Sequence, residues 1–210
     1  MDFIKLADSI PFQSNLGPIY LSPSNTLYSS GAANGATSNT DSIFFGNLSG
    51  FQATGAYQSV FQGANSGNGA TGAFQSSFIG VNAGQGSSSA FQSNFIGYNS
   101  GKLATSAYGS VFIGNDSGNG AINAAQSVFV GRDSGNGATS AADSFFLGYR
   151  AGYGASSASA SAFLGTSAGD GATNATGGVF IGYQAGLSAV DSVGSVFVGQ
   201  QAGSGATNTA

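Results

Sequence analysis

Set in rows of 17, residues 42–210 put their hydrophobic and polar side chains into fixed columns. Copies begin at Ser42, Ser59, Ser76, Ser93, Ser110, Ser127, Ser144, Ser161, Gly178 and Ser195 without an insertion, and the last runs one residue short. The third position of a copy is always Phe: Phe44, Phe61, Phe78, Phe95, Phe112, Phe129, Phe146, Phe163, Phe180 and Phe197. Position 4 is apolar at Ile79, Ile96, Ile113, Val130, Leu147, Leu164, Ile181 and Val198, and position 2 is Val in five copies. Position 8 is Ser or Ala, position 12 is Ala except at Ser87, and position 15 is small throughout.

A register held this long marks a repeat architecture, and 17 residues are too few for a helix-turn-helix repeat or a propeller blade. The period predicts an all-β fold, a β-solenoid (parallel β-helix or β-roll) in which each copy is one coil. Positions 1–4, rich in β-branched and aromatic residues, predict one strand, and positions 12–15 predict a second. Gly at positions 5 and 9, as at Gly46, Gly50, Gly114, Gly118, Gly131, Gly135, Gly199 and Gly203, predicts tight corners with positive φ, helped by Asn-Gly or a relative at positions 10 and 11. Side chains alternate along a strand, so the Phe column, opposed by small residues, predicts a core stack, and positions 2 and 4 face the other way. A continuous apolar stripe of that length is unusual on a soluble monomer, which predicts that another copy of the chain covers position 4.

Residues 25–41 read as a degenerate first coil, and residues 1–24 are a different text. Pro11, Pro18 and Pro23 break this segment into extended pieces carrying Phe3, Ile4, Leu6, Ile10, Phe12, Ile19, Tyr20 and Leu21. It reads either as a cap on the first coil or as a latch for assembly. The sequence stops inside a regular copy without a visible cap. An open last coil presents unpaired backbone groups, so head-to-tail stacking is expected, with the N-terminal segment latching the joint.

Composition narrows the chemistry. Only 6% of residues are charged and 36 are Gly, yet 17 Phe and 8 Tyr recur regularly, which favours a packed repeat over a disordered coil. There is no Cys, His or Glu, which excludes disulfides and thiolate sites and leaves isolated Asp and two Lys for acid-base work, so no enzyme, cofactor or metal site is expected. A net charge of -4 without a basic cluster argues against nucleic acid as a partner. No apolar run is long enough to insert into a membrane as a helix, and the first residues lack the pattern of a secretory signal.

Three columns offer candidate chemistry. Position 13 carries Thr54, Thr71, Thr105, Thr139, Thr173 and Thr207, a hydroxyl row that could serve ice binding or simply supply β propensity. Position 7 carries Asn65, Asn82, Asn99, Asp116 and Asp133, readable as a Ca²⁺ column or as stacked side chains that bond one another and the turns. Position 16 carries Tyr57, Phe74, Phe91 and Tyr108, readable as a sugar-stacking row or as a packing or subunit contact.

The string [SN]-x-F-[ILV]-G-x-x-[AS]-G-x-G-A-T-x-A, carried by residues 127–141 and their sister copies, resembles the glycine-rich repeats of phage tail fibres and bacterial surface fibres. It is more distantly similar to the head repeats of trimeric autotransporter adhesins. The resemblance covers residues 25–210 and implies an elongated, self-associating extracellular or virion fibre, with attachment to a receptor or glycan as the alternative role. Without a secretory signal, assembly into a virion is the expected route.

Overall fold

The structure is a computed structural model that describes residues 19–22, 25–28 and 31–209. Among the described residues twelve strands lie in one sheet in chain order. Strand β1 (Ile19–Ser22) runs antiparallel to β2 (Asn25–Tyr28), and every later pair is parallel and offset by one repeat. From β3 (Ser42–Phe45) onward each coil contributes one strand: β4 (Val60–Gln62), β5 (Ser77–Ile79), β6 (Asn94–Ile96), β7 (Val111–Ile113), β8 (Val128–Val130), β9 (Phe145–Leu147), β10 (Ala162–Leu164), β11 (Val179–Ile181) and β12 (Val196–Val198). The chain is a β-solenoid of 17-residue coils, and residues 25–41 join it in the same register, with Leu27 paired to Phe44.

The core is a column of rings. Phe44 to Phe180 are completely buried, and from Phe61 to Phe180 successive rings stack 4.7–4.9 Å apart. That spacing is the spacing of hydrogen-bonded strands, so backbone pairing and ring stacking are satisfied together. The alanines of positions 12 and 15 close the opposite wall. Each coil encloses one ring and has no room for a second, so the Phe column tolerates no exchange with the small columns.

The predicted second strand is a correction. Each coil makes a single-residue parallel bridge at position 13, as between Thr139 and Ser156, and does not form a strand over positions 12–15. The cause is the residue that follows: position 14 is left-handed in every full copy, as at Ser140 (φ 49) and Asn174 (φ 50), and such a residue cannot continue a strand.

The corner glycines at positions 5 and 9 have the positive φ expected of them, as does position 11, and three further columns share it. Positive φ falls at positions 5, 7, 9, 11, 14 and 17, and not at position 10. In the coil that begins at Ser127, three overlapping β-turns close as Ser134 N–H to Gly131 C=O, Asn136 to Asp133 and Ala138 to Gly135. Their third residues are Asp133, Gly135 and Gly137, all at positive φ, as type II turns require. The left-handed residues keep the layers joined where no strand exists. Gly131, Asp133, Gly137, Ser140 and Asp143 each donate their amide to the coil below at 2.8–2.9 Å.

Two glycine columns are fixed by space as well as by φ. A Cβ on Gly131 would lie 2.4 Å from the Gly148 carbonyl oxygen of the next coil, and one on Gly135 would lie 2.3 Å from the Phe129 ring. At position 11 the space is open at Gly137 and bounded only by a flexible side-chain end at Gly86, and there Gln52, Leu103 and Ser188 replace glycine at φ of 52–56.

Position 1 is a buried serine ladder. The Ser110 hydroxyl donates to the Ala124 carbonyl at 2.7 Å and accepts from the Ser127 amide at 3.1 Å, which fills the gap in a turn that does not close on itself. Where the ladder meets Gly178, the turn closes directly: the Gly178 amide reaches the Ala175 carbonyl at 2.9 Å, and Ser195 reaches Ser192 at 3.2 Å.

Candidate functional site

The outer face of the sheet is built by the same alternation that buries Phe. Flanking each Phe, positions 2 and 4 point away from the core, and every strand from β3 to β11 shows a buried centre between more exposed neighbours. Ile96, Ile113, Leu147 and Ile181 are exposed, Ile79, Val130 and Leu164 are half-buried, and Val198 in β12 is 65% exposed. Position 2 adds Ile43 and Phe145, and position 6 adds Val81, Tyr98, Tyr149 and Tyr183 along one edge. The face is therefore a ribbon of Ile, Val, Leu and aromatic side chains as tall as the sheet.

Its ion pairs lie in adjacent coils. Arg132, at position 6, has its guanidinium carbon 4.3 Å from the centre of the Tyr149 ring, and its Nε lies 3.6 Å from an Asp133 oxygen. Arg150, at position 7 of the next coil, stacks over Tyr153 and pairs with Asp170 at 3.0 Å. Asp170 is nearly buried; burial pushes its carboxyl above the ordinary value, and Arg150 and Ser167 pull it back only in part.

The other candidate columns acquire structural reasons. Position 7 is left-handed in every full copy, which favours Asn and Asp. Its side chains bond along the stack, Asn65 to Asn82 at 3.2 Å, Asn82 to Asn99 at 2.9 Å and Asn99 to Asp116 at 2.9 Å. Asn119 and Asn136 donate to Asp116 and Asp133 from three residues on. Among the described residues no three acidic side chains gather as a metal site would need. The Thr column is one residue wide, each member bridging the next coil.

Tyr57, Phe74, Phe91 and Tyr108 form a second stack, with centroids 4.9–5.0 Å apart and planes within 4°. Between neighbours the rings cover one another's faces and present edges to solvent. Beside them, Gln75 donates to Gln58 at 3.1 Å and Gln92 to Gln75 at 3.3 Å. Of the N-terminal segment, Ile19, Tyr20 and Leu21 lie in β1 and pair with Tyr28, Leu27 and Thr26 of the same chain. Phe3, Ile4, Leu6, Ile10 and Phe12 lie outside the described residues. Among the described residues no helix is long and apolar enough to cross a membrane.

The left-handed columns at positions 7, 14 and 17 were missed by sequence reasoning. Their signal was present in Gly55 and Gly72 at position 14 and in Gly109, Gly177 and Gly194 at position 17, each sharing a column with polar residues. No protein-family model matches the chain, and no curated protein matches it at a significant level.

Proposed function

We propose that the protein is a structural subunit of an extracellular or virion fibre, self-assembling through its solenoid. The observation that carries this reading is the outer sheet face, an apolar ribbon running the height of the stack with Ile, Leu and aromatic side chains open to solvent. Exposed apolar area that is continuous rather than scattered marks a contact surface. The columns that repeat without change serve stacking: Phe fills the layer, Gly lets backbone approach backbone, and Ser closes turns between layers.

A joint between β12 of one copy and β1 of the next would be antiparallel, because β1 is reversed relative to the rest of the sheet. Geometry favours the structural role over a glycan platform. Sugars stack on ring faces, and the Tyr57 to Tyr108 row uses its faces on itself. Negative-stain microscopy with light scattering at micromolar concentration tests the proposal: filaments or defined multimers are expected, and a uniformly monomeric particle would refute it.

A further inference from the structure

We infer that the outer face docks on the same face of a second copy with the two solenoid axes antiparallel, the two-fold axis lying level with the junction between the coils that begin at Ser110 and Ser127. The inference rests on the self-assembly reading and assigns the partner of that face. Ten layers at about 4.8 Å and five residues, positions 2–6, at about 3.3 Å give a ribbon of about 48 Å by 17 Å. That is about 800 Å² per copy, the area of a standard stable interface, and it is reached only if the whole height is used. Sliding one copy along the other gives up a layer of contact per step, so full overlap is the arrangement that area selects.

A two-fold contact must be complementary to itself, and two orientations give full overlap. With the axes parallel, each coil meets its own level with the strands reversed, so position 6 lies against position 2. Arg132, whose side chain is 62% exposed, is then laid against Val128, and the bulkiest level, Phe145, Leu147 and Tyr149, meets itself. With the axes antiparallel, the strands run in one direction and each position meets its counterpart in the coil equally far across the midpoint. Arg132 then meets Asn115, with Asp116 beside it, and Phe145 meets Asn94. Against Val128 the Arg132 guanidinium loses water and gains nothing beyond the Asp133 and Tyr149 of its own chain, whereas beside Asp116 it gains a second carboxylate. Val128 and Val130 meet Val111 and Ile113 at the centre, so the contact there stays apolar.

The chain has no Cys, so single spin labels can be placed without background. Tyr98→Cys, Val81→Cys and Gln200→Cys sit at the exposed edge of the face, three, five and nine layers from their own copies in the antiparallel arrangement. Pulsed EPR should read separations of roughly 18, 26 and 44 Å, from layers about 4.8 Å apart and facing sheets about 10 Å apart. Three equal distances would mean parallel axes and would overturn the arrangement while leaving self-assembly standing. No inter-copy distance, with a monomeric mass by light scattering, would overturn both. A charge exchange tests the contact itself. Arg132→Glu should weaken association tenfold or more, and Asp116→Arg in the same chain should restore it, since Arg150 already occupies that position of a coil. Failure of the exchange to restore association, with circular dichroism unchanged, counts against the Arg132 contact.

Discussion

Glycine at position 5 and glycine at position 11 share a sign of φ and differ in surroundings, which separates their expected substitutions. Gly131→Ala pushes a methyl group into the carbonyl of Gly148 at φ 131 and should destabilise by several kcal/mol, above the roughly 1–3 kcal/mol of a sparsely populated backbone region alone. Gly137→Ala meets open space at φ 67 and should cost only about 1–2 kcal/mol, the ordinary penalty of a left-handed Ala. Urea denaturation of both variants checks the pair, and equal losses would contradict the assignment of position 5 to interlayer contact. The serine ladder gives a second case. Ser110→Ala removes the hydroxyl between Ala124 and Ser127, where an unpaired buried group costs about 1–3 kcal/mol. The direct closure at Gly178 and Ser195 shows how the turn can recover, so a loss near 1 kcal/mol is expected, read as slightly faster amide exchange at Ser127.

At the scale of one coil, the ring is the packing unit. Phe129→Ala empties the centre of a layer and should cost about 3–5 kcal/mol, whereas Phe197→Ala, in a partly buried position, should cost less. Hydrogen exchange should show the first loss spreading to neighbouring coils, since each coil is held by the next. Asp170 gives this region a pH dependence. Its carboxyl is raised in the folded state, so the fold holds that proton more tightly than the unfolded chain does. Stability from this group is present in acid, below the ordinary carboxylate value, and is lost as pH rises through the raised value. Asp170→Asn should abolish that component of the slope in melting experiments across the mildly acidic range, and an unchanged slope would contradict it.

The strand over positions 1–4 and the Phe core were legible because they follow from alternation and from invariance within a column. The missing second strand was not, because Ala-Thr-Ser-Ala has the look of a strand, and only the left-handed Ser140 shows where the extended chain ends. Position 17 was hidden for a similar reason. Gln58, Gln75, Gln92 and Gln126 are unremarkable residues to find left-handed only once their amides are seen donating to the coil below, as Gln75 does to Tyr57. The outward stripe was legible; the reversal of β1 was not, because Ile19–Ser22 has strand composition in either direction.

For the whole molecule, a one-dimensional stack has a core only one ring wide and so must leave most side chains near the surface. Long-range order therefore comes from the repeat, and sociability comes from whatever the outward columns display. Here they display an apolar ribbon with Arg132 at mid-height. The central claim is that this ribbon is a contact between copies, and sedimentation velocity on the unmodified protein beside an Ile113→Asp, Leu147→Asp variant tests it most directly. Both residues point outward, so the variant should keep its circular dichroism spectrum. The account predicts that the unmodified protein sediments as multimers and the variant as a monomer of 20.5 kDa. A monomer in both cases, or identical multimers in both, would contradict it.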